Sequence, residues 1–156
     1  RMKKVRLTDP QIKKIDMTLK IFKCQVDLYE SIKNDPVDLD NFFSLNRNPL
    51  FDLTNISYFR TGLESKGVIA GGKPVHDHFI QRKYAMKILF EKLSKDRDMT
   101  LDEFVVFLVE YGSTVAITKK EHQVVTTRAK NTTDLNYELY EQCGIIIEGL
   151  DKMIPF

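Results

Sequence analysis

A long apolar stripe near the start of the chain constrains the fold more than any other feature. Thr8, Asp9 and Pro10 form a helix start, because they supply a capping side chain and a proline for the first turn. Apolar side chains then recur at spacings of three and four: Ile12, Ile15, Leu19, Phe22, Val26 and Tyr29. Residues 1–34 therefore predict a long amphipathic helix that packs on the chain's own core, with a homodimer seam through residues 12–29 as the alternative.

The middle of the chain predicts a small antiparallel β unit. Residues 66–70 and 74–78 are short extended segments on either side of the turn signal Gly71-Gly72-Lys73, so they predict a hairpin. Residues 113–117 are rich in β-branched side chains and predict a further strand. Residues 35–61 carry many aromatic side chains without a lasting period, and we interpret them as short helical turns and loop.

Capping signals mark the helices around these strands. Thr100 and Glu103 form one capping box, and Thr118 and Glu121 form a second. The first predicts a helix that stops at Gly112, and the second predicts a helix that continues to about residue 128. Further helices are predicted at residues 79–92 and 135–143.

Length and composition fit one domain. The chain has 156 residues, of which 42% are apolar, enough to bury a core and too many for a disordered chain. We therefore predict a single α+β domain over residues 1–156, mostly helical, with a small antiparallel β unit. No apolar run approaches the roughly 18 residues of a membrane span, so no membrane association is expected.

The cysteines exclude one class of metal site. Cys24 and Cys143 are the only two, and no CxxC pair is present, so the cysteine-based zinc signatures are absent. Both lie within apolar helical patterns, which predicts free, buried thiols and favours a reducing cytoplasm.

Charge is unevenly distributed along the chain. The net charge of +2 by itself predicts no partner, but residues 1–23 hold eight Lys or Arg against two acidic residues. A second basic patch comprises Lys119, Lys120, Arg128 and Lys130. Basic patches beside a candidate site suit a phosphate-bearing ligand such as DNA, although each patch is also compatible with a solvated helix face.

The three histidines are the strongest candidates for chemistry. His76 and His78 flank Asp77 in the predicted strand, and His122 lies in the first turn of the helix after the second capping box. Our hypothesis is that the fold brings Asp77, His78 and His122 to one metal ion. The alternative is three unrelated surface histidines in a mixed domain.

The run Asp77-His78-Phe79-Ile80-Gln81-Arg82 resembles the Asp-His-apolar-x-Pro-Arg motif of HNH endonucleases, the ββα-metal superfamily. The strand at 113–117, followed by Thr118-Lys119-Lys120-Glu121-His122, is similar to the closing strand and helix of that family. The resemblance covers about residues 66–128. Gln81 stands where the family has proline, the middle asparagine has no counterpart, and two helices must be inserted between the strands.

The resemblance implies a ββα-metal-like site and a role for each matching residue. It implies that Asp77 and His122 hold a divalent metal ion, Mg²⁺ or Mn²⁺ with Zn²⁺ as a third candidate. His78 is then the general base, since a neutral imidazole accepts a proton near pH 7. Arg82 is the candidate that grips the scissile phosphate. Lys119, Lys120, Arg128 and Lys130 are the candidate DNA contacts.

The function expected from these features is metal-dependent hydrolysis of DNA phosphodiester bonds, of phage or homing endonuclease type. The alternative from another class is a non-catalytic helical protein that binds nucleic acid or takes part in assembly. An intermediate expectation is a metal phosphohydrolase that acts on small substrates.

Overall fold

A computed structural model of the chain describes residues 6–129 and 136–153. Its helices are α1 (Asp9–Cys24), α2 (Val26–Ile32), α3 (Pro36–Thr54), α4 (Lys66–Ile69), α5 (Arg82–Lys95), α6 (Leu101–Gly112), α7 (Lys119–Ala129) and α8 (Asn136–Gln142). Its strands are β1 (Arg60–Glu64), β2 (Pro74–His78) and β3 (Thr114–Thr118). Short 3₁₀ turns cover Ser57–Phe59 and Leu150–Met153. The predicted α+β class, mostly helical in a single domain, is confirmed.

The sheet has three strands in the order β1-β3-β2. Strand β3 lies in the centre, antiparallel to β2 and parallel to β1. The sheet is therefore mixed, whereas the sequence predicted an antiparallel unit. Helix α7 begins directly after β3, and α5 and α6 lie between β2 and β3 in the chain. Strands β2 and β3 with helix α7 therefore form a strand–strand–helix unit that contains a two-helix insertion.

Two apolar clusters support this unit. The larger lies among α1, α2, α3, α5 and α6 and is rich in aromatic rings, with Phe90 in contact with Phe22, Tyr29 and Phe42. The smaller contains side chains from β3, α7 and α8 together with Phe79 and Ile80. Because Phe79 and Ile80 are buried and directly follow β2, they anchor the end of the strand that carries Asp77 and His78.

The N-terminal stripe packs on the chain's own core as predicted, except at Ile12, which is exposed. Residues 1–5 of the predicted helix lie outside the described residues. The inward side chains of the stripe are almost fully buried: Ile15, Leu19, Phe22, Val26 and Tyr29. The helix is not continuous, since α1 ends at Cys24 and α2 begins at Val26, with Gln25 as a turn between them. A homodimer through residues 12–29 would therefore use the outer face, where Met17, Ile21 and Leu28 are exposed.

The predicted hairpin over residues 66–78 is wrong. Residues 66–69 form α4, whose first turn is capped by the Ser65 hydroxyl, and β2 pairs with β3 instead. Gly71 adopts a φ of 105° in the turn that follows α4, and Gly72 allows close packing. A Cβ added at Gly72 would meet Cγ2 of Thr118 at 2.5 Å and the carbonyl oxygen of Gly67 at 2.8 Å.

The interpretation of residues 35–61 as short turns and loop is also wrong. Residues 36–54 form one helix, whose N-terminus is capped by Asp35. It continues through Pro49 because it buries Phe42, Phe43, Leu50 and Leu53 in the larger cluster. Tertiary packing therefore overrides the weak helix propensity of this Asn- and Pro-containing segment. Strand β1 within residues 60–64 was likewise not predicted.

Two further expectations concern the cysteines and the membrane. Both cysteines are free, but Cys24 is exposed and Cys143 is half-buried, so the prediction of buried thiols is wrong. Cys24 is the last residue of α1, where it lies on the outer face and not on the buried stripe. Within residues 6–129 and 136–153, no helix has the length and apolar character needed to cross a membrane.

Candidate functional site

One cleft of about 480 Å³ brings together side chains from α3, the end of β2, the start of α5 and α7. All four residues that sequence reasoning assigned to metal binding or catalysis line it: Asp77, His78, Arg82 and His122. His76 also borders the cleft, as do Arg47 and Phe51 from α3, which were not predicted. They were missed because residues 35–61 were interpreted without a continuous helix.

Asp77 and His122 form the centre of this cleft. Asp77 lies on β2 opposite Val115, and its side chain is buried. Its Oδ1 atom lies 3.1 Å from Nδ1 of His122. The two residues are 45 positions apart in the chain, so only the pairing of β2 with β3 and the turn into α7 bring them together.

The start of α7 is fixed by the predicted capping box, which is confirmed. The Glu121 backbone N–H donates to the Thr118 hydroxyl, and the Thr118 backbone N–H donates to the Glu121 carboxylate. That carboxylate also accepts a hydrogen bond from the Ser65 hydroxyl at 2.7 Å. Since His122 is the next residue, this network holds its imidazole over the edge of the sheet.

Tyr140 supplies the second partner of Asp77. The Tyr140 hydroxyl, from α8, donates a hydrogen bond to Oδ2 of Asp77. Burial, reinforced by the Asp77 charge, raises the pKa of Tyr140 well above its usual value, so the hydroxyl stays protonated. The two residues are 63 positions apart, and no local pattern in the sequence indicates this contact.

His122 is the more exposed residue of the Asp77–His122 pair. The hydrogen bond to Asp77 raises the pKa of His122, and partial burial opposes this shift. Its side chain is 43% exposed, whereas that of Asp77 is 8% exposed. The result is a chain of hydrogen bonds from Tyr140 through Asp77 to an imidazole at the cleft surface.

His78 lies in a different environment from His122. Successive side chains alternate along a strand, so His78 points away from the Asp77 side and toward α3. Its Nε2 atom lies 2.7 Å from the Thr54 hydroxyl, and its ring centroid lies 4.9 Å from that of Phe51. Burial lowers the pKa of His78 to about 4, so this imidazole is neutral at pH 7.

Arg82 is the first residue of α5, and its side chain lines the cleft. Its guanidinium carbon lies 3.9 Å from the centroid of the Phe51 ring, a cation–π contact. Burial and the nearby Arg47 guanidinium lower the pKa of Arg82, and Asp77 opposes the shift. Phe51 therefore contacts both His78 and Arg82 and holds them at one edge of the cleft.

The predicted DNA-binding residues lie outside the cleft. Lys119 and Lys120 are exposed in the first turn of α7 and do not line the cleft. Arg128 is exposed in the last turn of α7, where its guanidinium donates to the carbonyl oxygen of Gln142 at 3.5 Å. Lys130 lies outside the described residues.

The Asp77–His122 geometry is compatible with a metal ion. Two cis ligands at about 2.1 Å from an octahedral cation are separated by roughly 3.0 Å, close to the observed 3.1 Å between oxygen and nitrogen. Among residues 6–129 and 136–153, no group of three or more His, Cys, Asp or Glu side chains is arranged to hold a metal. Any cation here would therefore have two protein ligands, with water or a phosphate oxygen in its other positions.

The same geometry is compatible with chemistry that uses no metal. A carboxylate bound to one imidazole nitrogen orients the ring and favours its charged form. The pair can thus hold a cation, or hold a proton that the imidazole exchanges with a ligand in the cleft. Comparisons of the chain with protein-family models, with curated proteins and with solved structures found no match.

Proposed function

We propose that the protein is a metal-dependent endonuclease that hydrolyses DNA phosphodiester bonds in this cleft. The observation that carries the proposal is the Asp77–His122 pair, whose oxygen and nitrogen lie 3.1 Å apart beside Arg82 and His78. A carboxylate, an imidazole, a guanidinium and a second imidazole at one cleft are the group types that phosphodiester hydrolysis uses.

The topology supports the resemblance to HNH endonucleases. In that resemblance, two antiparallel strands are followed by a helix, with the Asp-His pair on the first strand and the second ligand on the helix. Strands β2 and β3 are antiparallel, α7 follows β3, and Asp77 and His122 lie on β2 and α7. The two-helix insertion that the spacing required corresponds to α5 and α6.

Three side chains would hold the cation and the phosphate. Asp77 and His122 would hold the cation, Mg²⁺ or Mn²⁺ with Zn²⁺ as a third candidate. Such a cation, when bound, supplies positive charge for the phosphate and lowers the pKa of a bound water. Arg82, already oriented by Phe51, would bind the phosphate oxygens.

Two imidazoles in the cleft are candidates for the proton acceptor. His78 is neutral at pH 7, as a base must be, but its pKa of about 4 makes it a weak one. His122 has a raised pKa and would be the better base in a metal-free reaction, oriented by Asp77. We therefore propose His78 as the base only for the metal-dependent reaction, in which Asp77 and His122 hold the cation.

Nicking of a supercoiled plasmid with Mg²⁺ or Mn²⁺ tests the proposal. Asp77→Asn is the matched variant, since an amide keeps the size and can still accept the Tyr140 hydrogen bond. We expect Asp77→Asn to lose Mn²⁺ binding and nicking together, and His78→Gln to keep Mn²⁺ binding while nicking falls roughly 10²–10⁴-fold. The experiment contradicts the proposal if the parent protein cleaves no duplex, branched or single-stranded DNA with any divalent metal.

The alternative function is that of a non-catalytic helical protein that binds nucleic acid or takes part in assembly. A metal phosphohydrolase that acts on small substrates is intermediate between the endonuclease and this alternative. Exposed cations on α7 are the observation that favours the binding alternative. DNA binding by a parent protein that is inactive with every metal would support it. Two free cysteines fit a cytoplasmic location, which we propose on that basis alone.

A homodimer through the outer face of α1 and α2 also remains a proposal. Met17, Ile21, Cys24 and Leu28 are exposed at spacings of four, three and four, the repeat of a two-helix seam. Sedimentation of the parent protein and of Ile21→Lys over a range of concentrations tests it. Parent protein that stays monomeric throughout that range would exclude the dimer.

A further inference from the structure

Two arginines on different helices line the cleft. Arg47 comes from α3 and Arg82 from the first turn of α5. Among the residues that the structure describes, neither guanidinium forms a salt bridge with a carboxylate. Lys83 lines the same cleft but differs from them, because it is paired with Asp40.

Arg47 is exposed and Arg82 is half-buried, and both line the same cleft. Arg47 and Phe51 are four residues apart on α3 and so share one face of that helix. The Arg82 guanidinium carbon lies 3.9 Å from the centroid of the Phe51 ring. The Arg47 charge is also one of the causes that lower the pKa of Arg82, after burial. Like charges are thus concentrated at one edge of the cleft.

Asp77 is the carboxylate whose charge opposes that of Arg47 at Arg82. Asp77 acts on Arg82 at a distance, but its two oxygens already accept hydrogen bonds from His122 and Tyr140. An anion placed between the two guanidiniums would relieve their repulsion and gain charge-assisted hydrogen bonds from both. Planar guanidinium forks match the oxygen spacing of a phosphoryl group.

We propose that Arg47 and Arg82 form a phosphate-binding subsite beside the Asp77–His122 pair. Its ligand is a phosphoryl group, carried by a nucleic-acid strand or by a free phosphate. The cleft volume of about 480 Å³ suits a segment of nucleotide size and not a whole duplex. The inference deepens the proposed function and rests on it for the nucleic-acid source, but binding at the subsite requires neither metal nor hydrolysis.

Binding of inorganic phosphate in EDTA, measured by isothermal calorimetry, tests the subsite without any cleavage. The variants are Arg47→Gln and Arg82→Gln, and Lys83→Gln is the matched control, because it removes one positive charge from the same cleft. We expect each arginine variant to weaken phosphate binding about tenfold, and the control to weaken it less than about twofold. Unchanged affinity in Arg47→Gln, or an equal loss in Lys83→Gln, would overturn the proposal.

Arg82 needs a second variant because its side chain also packs on Phe51. Arg82→Lys keeps the charge but loses the fork, so we expect it to fold and still to bind phosphate more weakly than the parent. Parent-like phosphate binding in folded Arg82→Lys would show that the guanidinium fork is not used and would overturn the subsite as proposed.

A competition experiment distinguishes the two sources of the phosphoryl group. A single-stranded oligonucleotide that displaces inorganic phosphate from the parent protein would assign the subsite to a nucleic-acid strand. An oligonucleotide that leaves phosphate bound would assign it to a free phosphate. In that second case the subsite stands without a nucleic-acid ligand, while the nicking assay decides the endonuclease proposal separately, so the two failures are distinguishable.

Discussion

At the scale of single residues, the pKa values of the two histidines His122 and His78 are shifted in opposite directions. The Asp77 hydrogen bond raises the pKa of His122, whereas burial lowers the pKa of His78 to about 4. His78 is 6% exposed and contacts Phe51 and the Thr54 hydroxyl. The folded protein therefore disfavours a proton on His78, and this preference must appear in its stability.

We predict that acid weakens the fold through His78. The pKa in the folded protein, about 4, lies below the usual 6.5, so the unfolded chain binds more protons between these values. Stability from this group is complete above about pH 6.5, falls as the pH drops toward 4, and the total loss is about 3 kcal/mol. Urea unfolding at pH 7, 5.5 and 4.5 measures it.

His78→Gln is the control for this pH prediction. Glutamine does not titrate, and its amide can still form a hydrogen bond with the Thr54 hydroxyl. Carboxylates elsewhere contribute equally to the acid sensitivity of both proteins. We therefore expect a shallower loss of stability in His78→Gln between pH 6.5 and 4, and identical slopes would contradict the burial of His78.

At the scale of elements, the contact between α6 and α3 supports the His78 side of the site. Gly112, the last residue of α6, packs so closely on Thr54 that an added Cβ would lie 2.3 Å from its Cγ2. Thr54 in turn donates to the carbonyl of Leu50 and contacts Nε2 of His78. The absence of a side chain at Gly112 thus lets α6 pack closely on the end of α3, which in turn contacts His78 on β2.

We predict that Gly112→Ala destabilises the protein by about 1–3 kcal/mol, the usual cost of overpacking. In a Thr54→Ser background the clashing methyl is absent and the hydroxyl remains, so the cost of Gly112→Ala should fall to less than about 1 kcal/mol. Urea unfolding of the parent, both single variants and the double variant measures the coupling. Equal costs in the two backgrounds would mean that Thr54 is not what limits the close approach of the two helices.

At the scale of the whole molecule, the local signals were predictable from the sequence. The buried stripe of α1 and α2 follows from its three-and-four spacing, and the two predicted capping boxes follow from a hydroxyl three residues before a glutamate. The fold class follows from the same signals. The candidate residues Asp77 and His122 were identified through a resemblance, and the structure brings them to one cleft.

The non-local features were not predictable. Gly71 and Gly72 indicated a hairpin, yet Gly72 instead allows close packing on Thr118, which sequence spacing cannot distinguish from a turn. Helix α3 was missed because its helicity depends on burial of its aromatic side chains. Tyr140 and Arg47 reach the site from distant helices, so only the tertiary structure indicates their contribution.

The surface charge of the whole molecule determines how it would bind DNA. A net charge of +2 gives little long-range attraction, so binding would depend on local cations. We expect the triple variant Lys119→Ala, Lys120→Ala and Arg128→Ala to bind DNA more weakly than the parent. The slope of its log affinity against log salt should be smaller by about one unit for every phosphate that these side chains neutralise. Fluorescence anisotropy of a labelled duplex, titrated across a range of salt concentrations, measures both quantities.

The matched control removes the same number of positive charges from α5, outside both basic patches. Lys87, Lys92 and Lys95 are exposed there, and none of them lines the Asp77–His122 cleft. If α7 binds the phosphates, the control variant should keep the parent's salt slope, since its change in net charge is the same but its position is not. An unchanged slope in the α7 variant would show that its cations are a solvated helix face. Equal reductions in both variants would show that attraction depends on total charge, and no surface could then be assigned to DNA.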